Sequence, residues 1–143
     1  MGACFLSFES ADFSFQAPYL TKPKLNLSYE ILGEYFEYED SNLVLLEDQD
    51  EISFGKVSFK VFETPFHTKG SVCYYFPKES ALFSGDTLFH LSVGRCDLPG
   101  SEERKMEDSL AKLKTLPANT TVYPGHGENT TLQKEFLYNP FLR

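Results

Sequence analysis

Hydrophobic and polar positions change character near residue 42 of this 143-residue chain. Before that point, FLSFESADFSFQAPYLTKPKLNLSYEILGEYFEYED mixes aromatic side chains with serines and prolines and keeps no sustained period. Dense aromatics in so irregular a stretch predict short turns and loops pinned to a body over residues 1–40, rather than a free linker. The pattern then becomes regular. Residues 42–47 (NLVLLE) read as a strand, Asp48-Gln49-Asp50 as a turn, and residues 51–63 as two strand signals around Gly55. In the second of these, Val57, Phe59 and Val61 alternate with Ser58, Lys60 and Phe62. The aromatic at 62 breaks the polar side and predicts a strand partly covered on both faces. SVCYYF and ALFSG, separated by Pro77-Lys78-Glu79-Ser80, predict antiparallel neighbours.

Met106, Leu110 and Leu113 recur at helical spacing, so a helix is expected over residues 102–115 with Ser101 capping its first turn. Leu116-Pro117-Ala118-Asn119 ends it, and Lys112 and Lys114 stand near its carboxyl end, where the helix dipole favours cations. TVY reads as another strand. TLQKEFLY reads as a last short helix with Leu132 and Phe136 on one face, stopped by Asn139-Pro140. Sheet-forming pieces interleaved with two helices predict an α/β class, a sheet whose helical cover is only partly supplied by this chain.

Composition narrows the functions such a fold could serve. With 41% of residues hydrophobic and 15% aromatic, a chain of 143 residues is enough for one domain with a real core. A net charge of -8 argues against a nucleic-acid partner, which requires a basic surface to displace condensed counterions. The acid is uneven: residues 1–66 hold 12 acidic and 4 basic side chains, residues 67–143 hold 9 of each. A solvated acidic face is the expectation there. Cys4, Cys73 and Cys96 form no Cys-x-x-Cys pair, which argues against a disulfide scaffold or a thiolate zinc cluster and for a reducing, cytoplasmic setting. MGACFLSFES lacks a positive start and a cleavage pattern, so no signal peptide is expected, and no apolar run approaches membrane-spanning length.

The chemistry-bearing residues gather at predicted strand ends. His67 follows a strand and precedes Gly70, Asp86 closes ALFSGD, and His126 lies between Gly125 and Gly127 after TVYP. Two imidazoles and a carboxylate are a sound donor set for zinc, with iron or manganese as alternatives, and the flanking glycines permit turns that aim them at one point. Ser84 has no adjacent base and is a poor nucleophile. Arg95 and Asp97 are expected to form a salt-bridged loop, Cys96 a small buried side chain, and Tyr123 part of the core.

From about residue 20 onward, TKPKLNLS, TPFHTKGSVCYYF, LFSGDTLF, SVGRCDLPGS, VYPGHGENTT and NPFL stand in an order that resembles the metallo-β-lactamase-fold hydrolases, close to their short glyoxalase II-like group. The resemblance implies a partial αββα sandwich, one domain over 1–143, lacking its amino-terminal strands and metal-binding loop. It implies that His67 matches a ligand of the first metal, Asp86 the carboxylate bridging both metals and central to catalysis, and His126 a ligand of the second. Arg95, Cys96 and Tyr123 fall where pocket or substrate contacts would lie, while His90 matches no ligand position. The family's H-x-H-x-D-H motif, which supplies the remaining ligands, does not occur in the chain. Phe66 replaces the usual glycine, Lys69 the usual proline and Cys96 the usual threonine. A phenylalanine before His67 is expected to resist a positive φ and to crowd the metal.

The implied activity is hydrolysis of a thioester of hydroxyacyl-glutathione type by metal-bound hydroxide, with zinc as cofactor. With two protein ligands left for each metal, where catalytic zinc keeps three, weak or no metal binding and little turnover are expected of this chain alone. The competing expectation is a noncatalytic binding or scaffolding half-domain that forms a homodimer or needs a complementing chain to cover its open sheet. Neither reading involves nucleic acid or a membrane.

Overall fold

Gly55, at φ +63, turns the chain between β1 (Glu51–Phe54) and β2 (Val57–Glu63), the two strands expected over 51–63, which pair as an antiparallel hairpin. The structure is a computed structural model that describes residues 46–143; the irregular segment and residues 42–45 of the first expected strand lie outside the described residues. β3 (Val72–Phe76) pairs antiparallel with β4 (Ala81–Gly85), as expected, and also antiparallel with β2. Next comes a small antiparallel ribbon, β5 (Leu88–Phe89) and β6 (Ser92–Val93), which two-residue strands could not announce in a hydrophobic pattern.

The chain then crosses through a 3₁₀ turn (Glu103–Lys105) and helix α1 (Met106–Lys114) to β7 (Thr121–Pro124), which runs parallel to β4. Parallel neighbours require such a crossover. β8 (Thr130–Thr131) and helix α2 (Leu132–Tyr138) complete the described part, giving a six-stranded sheet in the order β1-β2-β3-β4-β7-β8. Thr131 caps α2 by accepting the Lys134 N–H. No comparable cap starts α1: the Ser101 hydroxyl expected there instead donates to the His67 carbonyl at 2.7 Å.

Alternation along the strands splits the apolar residues between two faces. Phe62, Cys73, Tyr75, Leu82 and Val122 join Leu110, Leu113 and Leu132 from the helices in one core. Their immediate neighbours Val61 and Val72 belong to a second cluster with Leu46, so β2 is covered on both sides as its aromatic at 62 implied. Further along that second face, aromatic rings step from strand to strand: Phe76 against Phe83 and Phe83 stacked on Tyr123, with centroids 5.4 and 5.2 Å apart. Phe83 and Tyr123 are exposed, so Tyr123 is a surface aromatic and not the core residue expected. The helices lie on the first face, and the six strands make a mixed α/β arrangement.

Candidate metal site

β2, β4 and β7 all run in one direction, because β2 and β4 are each antiparallel to β3 and β4 is parallel to β7. His67, Asp86 and His126 follow the carboxyl ends of these strands, so the topology delivers all three to one edge of the sheet. There the Asp86 carboxylate stands between the two imidazoles. Its Oδ2 lies 3.6 Å from His67 Nε2 and its Oδ1 lies 3.6 Å from His126 Nε2.

The His67 arm is tightly held. Its Nδ1 donates to the Arg95 carbonyl at 2.8 Å, which leaves the lone pair of the neutral ring on Nε2, facing Asp86. Its own carbonyl accepts from Ser101, and the Glu102 N–H donates to the Phe66 carbonyl at 2.8 Å. Phe66 is fully buried in the main core, so its ring supports the turn from below and does not crowd the edge where the three side chains meet. Nor does it use positive φ: the non-glycine residues in that region among those described are Gln49, Ser80 and Leu91. The expected cost of the glycine-to-phenylalanine departure is therefore not present.

Asp86 sits in a turn fixed from within. The Thr87 N–H donates to the Ser84 carbonyl, and the buried Ser84 hydroxyl donates to the Leu88 carbonyl at 2.7 Å, which occupies the hydroxyl and agrees with its reading as no nucleophile. Two glycines press on this turn. A Cβ at Gly94 would stand 1.9 Å from the Asp86 carbonyl oxygen, and one at Gly125 would stand 2.6 Å from Asp86 Oδ1. Sequence reasoning credited Gly125 with conformational freedom, but close approach is what demands it. It passed over Gly94 altogether, because the atoms a side chain there would strike come from residue 86.

His126 is held more lightly. Its side chain is 73% exposed, and its ring lies against Phe89 with centroids 4.3 Å apart. His90, in the turn directly after β5, pairs through Nδ1 with Glu128 and so belongs to the rim. The Arg95 guanidinium forms a two-pronged pair with Asp97, as expected of that loop, and this hydrogen bonding draws the Asp97 carboxyl down to about 2. Cys96 is half-buried against the main core, and Tyr123 lies on the sheet face with Phe83. The edge thus unites His67, Asp86 and His126 and leaves the side chains of Arg95, Cys96 and Tyr123 in other contacts. Cys73, fully buried, has its thiol pushed up to about 11 by burial and stays protonated.

A gap of 3.6 Å is long for a hydrogen bond between nitrogen and oxygen. It is close to the roughly 3.4 Å that separates two donors bound to one tetrahedral ion at about 2.0–2.1 Å. Each half of the arrangement thus fits two ligands of one metal. Among the described residues no group of three or more His, Cys, Asp or Glu side chains could hold an ion, so the donors present fit part of a metal site and fall short of a complete one.

The sequence pattern described as the Metallo-beta-lactamase superfamily matches residues 8–126. The crystal structure of the BLEG-1 B3 metallo-beta-lactamase is similar at a TM-score of 0.81 and 38% identity, over 94% of this chain and 63% of that one. TTHA1623 in a di-iron-bound form is similar at a TM-score of 0.70 and 39% identity, over 84% of this chain and 59% of that one. A hydroxyacylglutathione hydrolase of Brucella anthropi is 48% identical over 81 residues, 57% of this chain and 30% of that protein. The chain spans about half the length of the curated relatives it matches.

Proposed function

The chain belongs to the metallo-beta-lactamase superfamily, and we propose that it is part of a metal-dependent thioester hydrolase of the glyoxalase II-like group, with too few ligands to work alone. The observation that carries this is the placing of one imidazole nitrogen 3.6 Å from each oxygen of Asp86. His67 and Asp86 would serve one ion, His126 and Asp86 the other. Bound zinc, or iron as in the di-iron relative, would supply hydroxide near neutral pH and polarise the substrate carbonyl. The chain's own residues orient: the Arg95 carbonyl fixes the His67 tautomer, and Gly94 and Gly125 let the Asp86 turn approach both arms. A thioester of hydroxyacyl-glutathione type is the substrate class favoured by the identity to the hydroxyacylglutathione hydrolase. Of the remaining pocket candidates, Arg95 is exposed but has Nε and one terminal nitrogen engaged by Asp97, while Cys96 and Tyr123 stand in packing contacts.

Zinc titration of the purified chain followed by calorimetry tests the reading. Weak binding that disappears in Asp86→Asn, with little turnover of a hydroxyacyl-glutathione thioester, is the expected result. Binding equally strong in the variant would remove Asp86 from the site. Stoichiometric tight zinc with rapid turnover would instead overturn the claim of missing ligands.

A second reading, a half-domain completed by another polypeptide, is favoured by the same two-donor geometry. The sequence holds no H-x-H-x-D-H, and a segment carrying that motif would bring each ion to at least the three ligands that catalytic zinc needs. Mixing the chain with a polypeptide bearing that motif should then raise metal affinity and turnover together. Light scattering on the chain alone tests the homodimer, which could cover the exposed Phe83 and Tyr123 but adds no new ligand type.

A further inference from the structure

Glu135 is a carboxylate with no exposed surface, on the helix α2 face that packs against the sheet. A buried charge is costly unless fully hydrogen-bonded, and this one is served by donors from three segments. Thr130 Oγ1 on β8 donates to Oε1 at 2.6 Å, while the Leu91 N–H and Asn139 Nδ2 each donate to Oε2 at 2.8 Å. Asn139, also wholly buried, donates from the same amide nitrogen to the Ser92 carbonyl at 3.0 Å.

The two parts joined in this way are the two that hold His126. Leu91 and Ser92 form the tip of the β5–β6 ribbon, which carries Phe89 under the His126 ring and His90 against Glu128. Thr130 ends the loop that carries His126 and Glu128. One carboxylate therefore grips ribbon and loop at once, with an oxygen for each. His126 itself is largely exposed and has its ring set by Phe89, so its place beside Asp86 depends on the register between those two parts.

We propose that Glu135 is the positioning residue for His126: its carboxylate locks ribbon to loop so that the imidazole is presented to Asp86. Its importance for catalysis rests on the metal-site reading above, but the positioning is a property of the metal-free chain and is tested there. Proton NMR of the metal-free protein reads it directly. Stacking on Phe89 should move the ring protons of His126 upfield, and Phe89→Leu should abolish that shift and so identify it. Thr130→Val, which deletes one donor while keeping the side chain's shape, should lose the shift while the His67 ring signals and the far-ultraviolet circular dichroism stay as they are. Thr130→Ser, which restores the hydroxyl, should bring it back. Glu135→Gln should act in the same direction and more strongly. Should that variant not fold, the Thr130 pair decides. An upfield shift retained in folded Thr130→Val, or absent from the unaltered protein, overturns the proposal. Neither result depends on whether zinc binds, so failure here is distinct from failure of the metal-site reading.

Discussion

The His67 and His126 arms reach the same carboxylate by different physical means. His67 is fixed by hydrogen bonds from its ring to the Arg95 carbonyl and from the Ser101 hydroxyl to its own carbonyl, with a buried phenylalanine beneath it, while His126 rides on an exposed loop held by ring contact with Phe89 and by the His90–Glu128 contact at the rim. Hydrogen bonds specify a tautomer and a direction, whereas stacking fixes a plane and leaves the ring nitrogens free to choose. On the proposed metal-site reading, the first arm would offer a donor preset in both place and tautomer, and the second a ring set in its plane with its tautomer left open. A metal arriving at this edge would meet a finished donor on one side and settle the other.

Several substitutions would break or sharpen that contrast. The largest effect is expected from Gly94→Ala, whose Cβ would lie 1.9 Å from the Asp86 carbonyl oxygen and 3.1 Å from the His67 Cβ. Backbone must move, at a cost at or above the roughly 1–3 kcal/mol usual for overpacking, and urea unfolding should show the loss. An unchanged midpoint would mean the turn is looser than drawn. Gly125→Ala, meeting Asp86 Oδ1 at 2.6 Å, should cost about 1–3 kcal/mol and weaken zinc binding through both arms, since the displaced carboxylate serves both.

Ser101→Ala comes next. Losing the donor to the His67 carbonyl should cost about 1 kcal/mol in thermal unfolding and shift the His67 ring signals while sparing those of His126. Equal shifts in both rings would erase the distinction between the arms. The smallest effect concerns the support under β2. Lys112 Nζ donates to Asp48 Oδ2 and to the carbonyl of Glu63, the last residue of β2 before the His67 turn. Burial pushes the Asp48 carboxyl up, but the Glu63 N–H and Lys112 together outweigh it and hold the carboxyl below its ordinary 3.8. Because the folded pKa is the lower one, this stabilisation is complete above about 3.8 and fades as pH falls through the folded value. Lys112→Met should lower stability by roughly 1 kcal/mol at neutral pH and by less in strong acid, and a loss that grows on acidification would contradict it.

Much of this was legible in the chain. The run around Gly55 announced two strands, and Phe62 on the polar side announced cover on both faces, because a two-residue period writes itself into local sequence. His67, Asp86 and His126 were readable because each sits at a strand end in a recognisable order of motifs. What escaped was set by residues distant in the chain. Ser101 looked like a helix cap by position and serves the His67 carbonyl instead. Tyr123 looked apolar enough for the core but falls on the opposite face from Val122. Glu135 carries no local signal in its helix, and its burial follows only once Leu91 and Thr130 are brought to it.

The sequence by itself determined the longer strands and the two helices, and it offered three side chains whose chemistry suits a metal, since periodicity, turn residues and donor chemistry are local properties. It also carries three histidines and no H-x-H-x-D-H, which is why the proposed function asks for ligands beyond His67, Asp86 and His126. Only the tertiary structure decided how those donors are held. The parallel pairing of β4 with β7 brings Asp86 to His126, and the Arg95 carbonyl selects the free nitrogen of His67. Glycine at 94 and 125 is required by contact with residue 86, a constraint that exists only after folding has brought those backbones together.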